Sequence, residues 1–126
     1  MRIRTMLMAT SVLMAELLLP AQYAAACSVQ TASGTVRTGS EAGCVGYASD
    51  SLQSIHYRIT QREPLAVRAT ATYGGGKALE VLVQCEVVDR RVVALVIVAA
   101  PDLDVATNIA GEVLKRMQAR TPQRID

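Results

Sequence analysis

The sequence predicts an α+β domain, with two helices packed on one face of an antiparallel three- to four-stranded meander and a signal peptide before it. Two segments carry apolar residues at three- and four-residue spacing, which is typical of helices. The segments between them alternate apolar and polar residues, as half-buried strands do. The chain of 126 residues is long enough for one such domain and too short for two with separate cores.

The composition excludes several classes of protein. Apolar residues make up 51% of the chain, which argues against disorder. The chain has no Phe or Trp and only four Tyr, which argues against a surface on which nucleic-acid bases stack. Its 13 basic and 11 acidic residues nearly cancel. We therefore expect no nucleic-acid partner.

Residues 1–26 have the order of a secretory signal peptide. Arg2 and Arg4 precede an apolar run over residues 6–19, and small residues follow up to Ala26. This run is shorter than the roughly 20 residues that span a bilayer. An uncleaved membrane anchor is the alternative. We predict export to the bacterial cell envelope or periplasm.

Cys27 directly follows three alanines, Ala24–Ala26. Small residues before a cysteine at the end of a signal peptide resemble a bacterial lipobox. The resemblance implies that Cys27 is lipidated, becomes the mature N-terminus and holds the protein on the membrane. Ordinary cleavage after Ala26, with Cys27 merely the first mature residue, is the alternative.

Cys44 and Cys85 are predicted to form a disulfide bond. An exported protein enters an oxidising compartment, and lipidation of Cys27 would remove the odd cysteine of the three. Cys44 lies on the apolar face of a predicted helix and Cys85 on the apolar face of a predicted strand. Two buried free thiols are the alternative.

Residues 27–39 are polar and small, and we interpret them as a tether or an edge strand, with at most one weak strand at residues 35–37. The domain itself is predicted over residues 40–120. Ser40 is the expected N-cap of the first helix. Its apolar face recurs at helical spacing and consists of Cys44, Val45, Ala48, Leu52 and Ile55. Residues 56–61 are a candidate further edge strand.

Residues 65–73 and 79–87 alternate as strands on either side of a loop of three glycines, residues 74–76. Pairing Tyr73 with Lys77 places both apolar sets on one face. A two-residue turn at residues 89–90 then leads into the apolar strand 91–100.

Pro101 is expected to end this strand, and Asp102 to cap the second helix. Its apolar stripe ends before Pro122 and consists of Ala106, Ile109, Ala110, Val113 and Met117. Residues 121–126 are a C-terminal tail. This order of elements, over residues 27–120, resembles small uncharacterised bacterial envelope lipoproteins with an α-β-β-β-α domain. The resemblance implies an envelope location and no particular chemistry.

The last strand is apolar on both faces. If one set of alternate residues meets the helices, the other set lies on the opposite face of the sheet. An open apolar face often marks an interface. The predicted partner-binding residues are Leu82, Val93, Leu95 and Ile97. The alternative is that the N-terminal segment folds back over them.

No catalytic set is found, because the sequence offers no nucleophile paired with a base. One histidine and three cysteines give a low expectation of a metal site, and we expect no cofactor. We therefore predict a non-enzymatic protein that associates with another envelope protein or with itself. The alternative is a periplasmic binding module for a small apolar or amphipathic ligand, held between helices and sheet where small alanines leave room.

Overall fold

The structure, a computed structural model, describes residues 27–121. The predicted signal peptide, residues 1–26, lies outside the described residues, as does the predicted tail beyond Thr121. The protein is an α+β fold with a five-stranded antiparallel sheet and two helices. Its elements are β1 (Ser28–Thr35), α1 (Glu41–Ser54), β2 (Arg58–Glu63), β3 (Ala66–Tyr73), β4 (Lys77–Val88), β5 (Arg91–Ala100) and α2 (Leu103–Gln118).

The strands lie in the order β1-β5-β4-β3-β2. From β1 at one edge the chain crosses through α1 to β2 at the other edge, and β2 to β5 return as a meander. The antiparallel meander is confirmed, whereas the predicted count of three to four strands is too low. The added strand is β1, which pairs with β5 over eight residues and ends at Thr35, where a weak strand was expected to begin.

Helix α1 is capped by a side chain at its N-terminus and by backbone hydrogen bonds at its C-terminus. The Ser40 hydroxyl accepts a hydrogen bond from the Gly43 amide at 3.0 Å, as expected for an N-cap. At the other end, the His56 amide donates to the Gln53 carbonyl and the Tyr57 amide to the Leu52 carbonyl. His56 has a φ of 65°, so these bonds form a Schellman motif with a histidine in the left-handed position.

Both predicted hairpin turns are present. Tyr73 pairs with Lys77, and the three intervening glycines all have positive φ, a conformation that strains other residues. Val88 pairs with Arg91 across a two-residue turn in which both residues also have positive φ. This geometry matches the right-handed twist of the flanking strands.

The core lies between the inner face of the sheet and the two helices. Alternate residues of β5 are at most 5% exposed, namely Val92, Ala94, Val96 and Val98. Cys44 of α1 and Cys85 of β4 form a disulfide bond within this layer, with their Cα atoms 6.1 Å apart. The bond joins α1 to the centre of the sheet and is consistent with an exported protein.

Helix α2 packs over β1 and β5 with the predicted apolar stripe. Ala106, Ala110, Val113 and Met117 are buried, and Ile109 is partly exposed. The helix approaches β1 closely at Gly34, where a Cβ atom would meet the Gln118 side chain. Gln118 also donates a hydrogen bond to the Thr35 carbonyl at 3.1 Å. A strand of polar residues is thereby held in the sheet by a helix as well as by its neighbour.

Candidate partner-binding surface

The four residues predicted to bind a partner lie together on the outer face of the sheet, opposite the helices. Val93, Leu95 and Ile97 alternate along β5 with buried residues, and Leu82 of β4 lies directly opposite Ile97. All four side chains are partly exposed. We call this set, Leu82, Val93, Leu95 and Ile97, the outer stripe.

Polar side chains border the outer stripe on both sides. Along β1, the residues opposite Ile97, Leu95 and Val93 are Thr31, Ser33 and Thr35. Along β4, Gln84 and Glu86 lie opposite Leu95 and Val93. Further across the face, Arg68 and Glu80 form a salt bridge at 3.4 Å. An apolar centre with a polar rim is the usual composition of a protein interface.

The outer stripe extends towards the end of the sheet at which β1 begins. Val29 lies opposite Ala99 and is 57% exposed, so it adds apolar surface at this end. Strand β1 lies beside β5 and does not cross the face. Within residues 27–121, no helix or strand covers the outer stripe. The N-terminal segment, as far as it is described, widens the face and does not shield it.

Cys27 lies next to the folded domain at this same end. It is exposed and forms no disulfide with another described cysteine, and β1 begins at the next residue. A shallow groove of about 220 Å³ opens beside it, with an apolar lining that includes Leu79, Ala99 and Pro101. The sequence left open whether residues 28–39 form a tether or an edge strand. The structure shows an edge strand over Ser28–Thr35. A group attached to Cys27 would therefore be held close to the sheet.

Asp102 links the β3–β4 hairpin to α2 at this end of the molecule. It occupies the expected N-cap position, but its side chain makes no capping hydrogen bond. The carboxylate instead accepts from the Tyr73 hydroxyl at 2.8 Å and from the Lys77 ammonium at 3.1 Å. The sequence predicts the pairing of Tyr73 with Lys77 but not their contact with Asp102, because Asp102 lies 25 residues after Lys77 and 29 after Tyr73.

These contacts shift the titration of all three groups. The hydrogen bond from Tyr73, followed by that from Lys77, lowers the pKa of Asp102. Desolvation is the main cause that raises the pKa of Tyr73, and the hydrogen bond to Asp102 raises the pKa of Lys77. At neutral pH the cluster is thus an ion pair with a neutral phenol. The cluster links the β3–β4 hairpin to the start of α2, and we assign it a structural role.

No protein-family model matches this chain, and no curated protein matches it in sequence. Among residues 27–121, no group of three or more His, Cys, Asp or Glu side chains is placed to hold a metal ion. The helices of this part of the chain are too short or too polar to cross a membrane.

The alanines expected to leave a ligand cavity lie inside the helix–sheet layer. Ala48, Ala69, Ala106 and Ala110 are at most 1% exposed, and Ala71 is partly exposed. The groove beside Cys27 lies at the end of the sheet, and a second groove lies beside His56 and Thr72. Ala71 lines the second groove together with Ile55 at the end of α1. Ligand binding between helices and sheet stays a prediction.

Proposed function

We propose that this chain is an exported, lipid-anchored, non-enzymatic envelope protein that acts by association through the outer stripe. The observation that carries the proposal is the position of four apolar side chains on the sheet face away from the helices. These side chains are partly exposed, so a partner that covers the stripe buries the apolar area that is still open, at roughly 25 cal/mol per Å². The partner is another envelope protein or a second copy of this chain.

The proposed anchor is a lipid on Cys27. The exposure of this residue and its position just before β1 support the assignment. Because residues 28–35 belong to the sheet, the lipid would hold that end of the sheet at the membrane surface. At about 3.4 Å per residue along β5, the outer stripe then extends from roughly 10 Å (Ile97) to roughly 24 Å (Val93) from Ala100 at the membrane end.

Aspartate substitutions in the outer stripe test the association. Ile97→Asp and Val93→Asp place a charge where a partner would bury an apolar surface, so each should reduce recovery of the partner or of larger assemblies from envelope extracts. The matched control is Val87→Asp, because Val87 is 52% exposed at the end of β4 and lies outside the stripe. Thermal unfolding should show that all three variants remain folded.

The association proposal is wrong if the wild-type protein is strictly monomeric and recovers no partner. It is also wrong if Ile97→Asp and Val87→Asp associate equally with the partner.

Mass spectrometry of the mature N-terminus tests the anchor separately. We expect a lipid on Cys27, and we expect Cys27→Ser to move the protein to the soluble fraction without unfolding it. A free Cys27 thiol would contradict the anchor. A disulfide between Cys27 and either Cys44 or Cys85 would contradict both the anchor and the pairing.

A further inference from the structure

The two edges of the sheet differ in how they are protected. The edge strand β2 carries Arg58, Arg62 and Glu63, and its pairing with β3 shifts register between Ile59 and Gln61. Charges and bulges of this kind prevent an edge strand from pairing with another chain. Strand β1, Ser28–Thr35, has no charged residue and no proline, and it pairs with β5 without a shift. Only the β1 edge is therefore open to a further strand.

The register identifies which backbone groups of β1 face outwards. The Val36 amide donates to the Val92 carbonyl at 3.0 Å, so even-numbered residues bond to β5 and odd-numbered ones point away from the sheet. The Thr35 carbonyl already accepts from Gln118. The outward amides and carbonyls that remain for another strand are those of Val29, Thr31 and Ser33.

The α2 residues nearest to this edge are also uncharged. Leu114 and Gln118 are the α2 residues nearest to Gly34 of β1, and helical spacing places Thr107 and Gly111 on the same side. The charged Glu112 and Arg116 lie on the other side, where Arg116 contacts Ser54 of α1. A Cβ atom at Gly111 would meet nothing within 4 Å. The strand and the α2 residues next to it are thus neutral, whereas Asp104 and Lys115 lie beside Gly111 on the solvent side of this flank.

We propose that β1 pairs antiparallel with β1 of a second copy, giving a twofold dimer with a continuous ten-stranded sheet. The three residues with free outward amides and carbonyls, Val29, Thr31 and Ser33, are symmetric about Thr31. Thr31 therefore pairs with Thr31 of the partner subunit, and Val29 pairs with Ser33 of the partner subunit. About six backbone hydrogen bonds form in this register. Because the β2 edges are blocked by charge, assembly stops at two copies.

The dimensions of the sheet bring the two α2 helices into contact. Paired strands are about 4.8 Å apart, and α2 lies over β1 and β5, so the two copies of α2 would be roughly 10 Å apart. That is the packing distance of helices that touch. Counting back from Gly34 at about 1.5 Å per helical residue, Gly111 lies about level with Ala32, close to the twofold axis. A glycine there leaves room for the second helix.

Gly111→Glu tests the dimer without disturbing the monomer. Two glutamates would face each other near the twofold axis, whereas in the monomer the new side chain enters open space and improves helix propensity. Gly46→Glu is the matched control, because Gly46 is also a helical glycine with nothing within 4 Å of its Cβ position. We expect light scattering of the mature protein to give twice the monomer mass for wild type and Gly46→Glu, and the monomer mass for Gly111→Glu.

Ser33→Pro is a second test on the strand itself. Proline at this position removes an outward amide and leaves the hydrogen bonds to β5 in place, so the variant should be monomeric and folded. This dimer does not use the outer stripe, and Ile97→Asp should leave it intact even if that variant abolishes the proposed function.

A wild-type protein that stays monomeric at millimolar concentration would overturn the proposal. A dimer that persists in both the Gly111→Glu and the Ser33→Pro variants would also overturn it. If Ile97→Asp is the variant that dissociates such a dimer, the contact lies at the outer stripe instead of β1.

Discussion

Gly43 and Gly46 lie three residues apart in α1, and only Gly43 is constrained by its surroundings. A Cβ atom at Gly43 would collide with the Thr38 side chain, whereas a Cβ atom at Gly46 would meet nothing. We expect Gly46→Ala to raise the free energy of unfolding by about 1 kcal/mol, through helix propensity. Gly43→Ala should lower it by about 1 kcal/mol or more, because Thr38 must move.

Urea unfolding of the two glycine variants measures this difference. The double variant Thr38→Ala with Gly43→Ala is the control, since removal of the Thr38 side chain should relieve the collision. If both single variants change stability by the same amount and in the same direction, the close contact is not the reason for the glycine.

Asp102 should make stability depend on pH at the acid end. Its pKa is lowered in the folded protein from the ordinary value of 3.8, so the carboxylate stabilises the fold above that value. This stabilisation is lost as pH falls through the lowered pKa. The raised pKa of Lys77 acts in the opposite sense, and its stabilisation is present below 10.5 and lost above the raised value.

Thermal unfolding of wild type and Asp102→Asn between pH 2 and pH 7 checks the sign. Wild type should be more stable at neutral pH, and the two curves should converge as the carboxylate is protonated. Curves that remain parallel down to the lowest pH would show that the contacts with Tyr73 and Lys77 do not stabilise the charged form.

The disulfide between α1 and β4 should contribute more to the free energy of unfolding than any other single contact between elements. It joins residues 41 positions apart, and in the chain-entropy model a loop of that length contributes about 4 kcal/mol. The double variant Cys44→Ala with Cys85→Ala should therefore lower the free energy of unfolding by about this amount in urea. Cys27→Ser should leave it unchanged. A loss below about 1 kcal/mol for the double variant would contradict the entropic account.

Periodicity explains why the helices and the meander could be predicted, and why β1 could not be placed. The buried residues of α1 and α2 repeat at helical spacing, and β3, β4 and β5 alternate, so each element carries its own signal. Strand β1 buries no side chain fully, and its burial alternates only between partial and exposed. Its position depends on β5 and α2, which are distant in sequence.

The outer stripe could be predicted because it follows from one local fact, the apolar character of both sides of β5. Two residues in the left-handed conformation, Asp89 and Arg90, then set the turn that aligns Leu82 with Ile97. The Asp102 cluster could not be predicted in this way, since it requires the hairpin and α2 to meet in space. Contacts that arise from tertiary packing leave no periodic signal in the chain.

At the scale of the whole molecule, the domain has three distinct surfaces in the proposed arrangement. The Cys27 end of one copy meets the membrane, the β1 edge meets a second copy, and the outer stripe meets the partner. Because the two β1 strands pair antiparallel, the Cys27 end of the second copy points in the opposite direction, so the lipid of one copy alone sets this orientation. Pairing through β1 would place both outer stripes on the same face of one continuous sheet, separated by the polar outer residues of the two β1 strands.

Site-specific photo-crosslinking in the cell envelope tests the central claim, that the outer stripe binds a protein. A photoreactive residue in place of Leu95 lies at the centre of the stripe, and one in place of Val87 is exposed at the end of β4, outside the stripe. We predict a discrete protein adduct from position 95 and none from position 87. An outer stripe that gives no adduct at position 95, or the same adducts as position 87, would contradict the account.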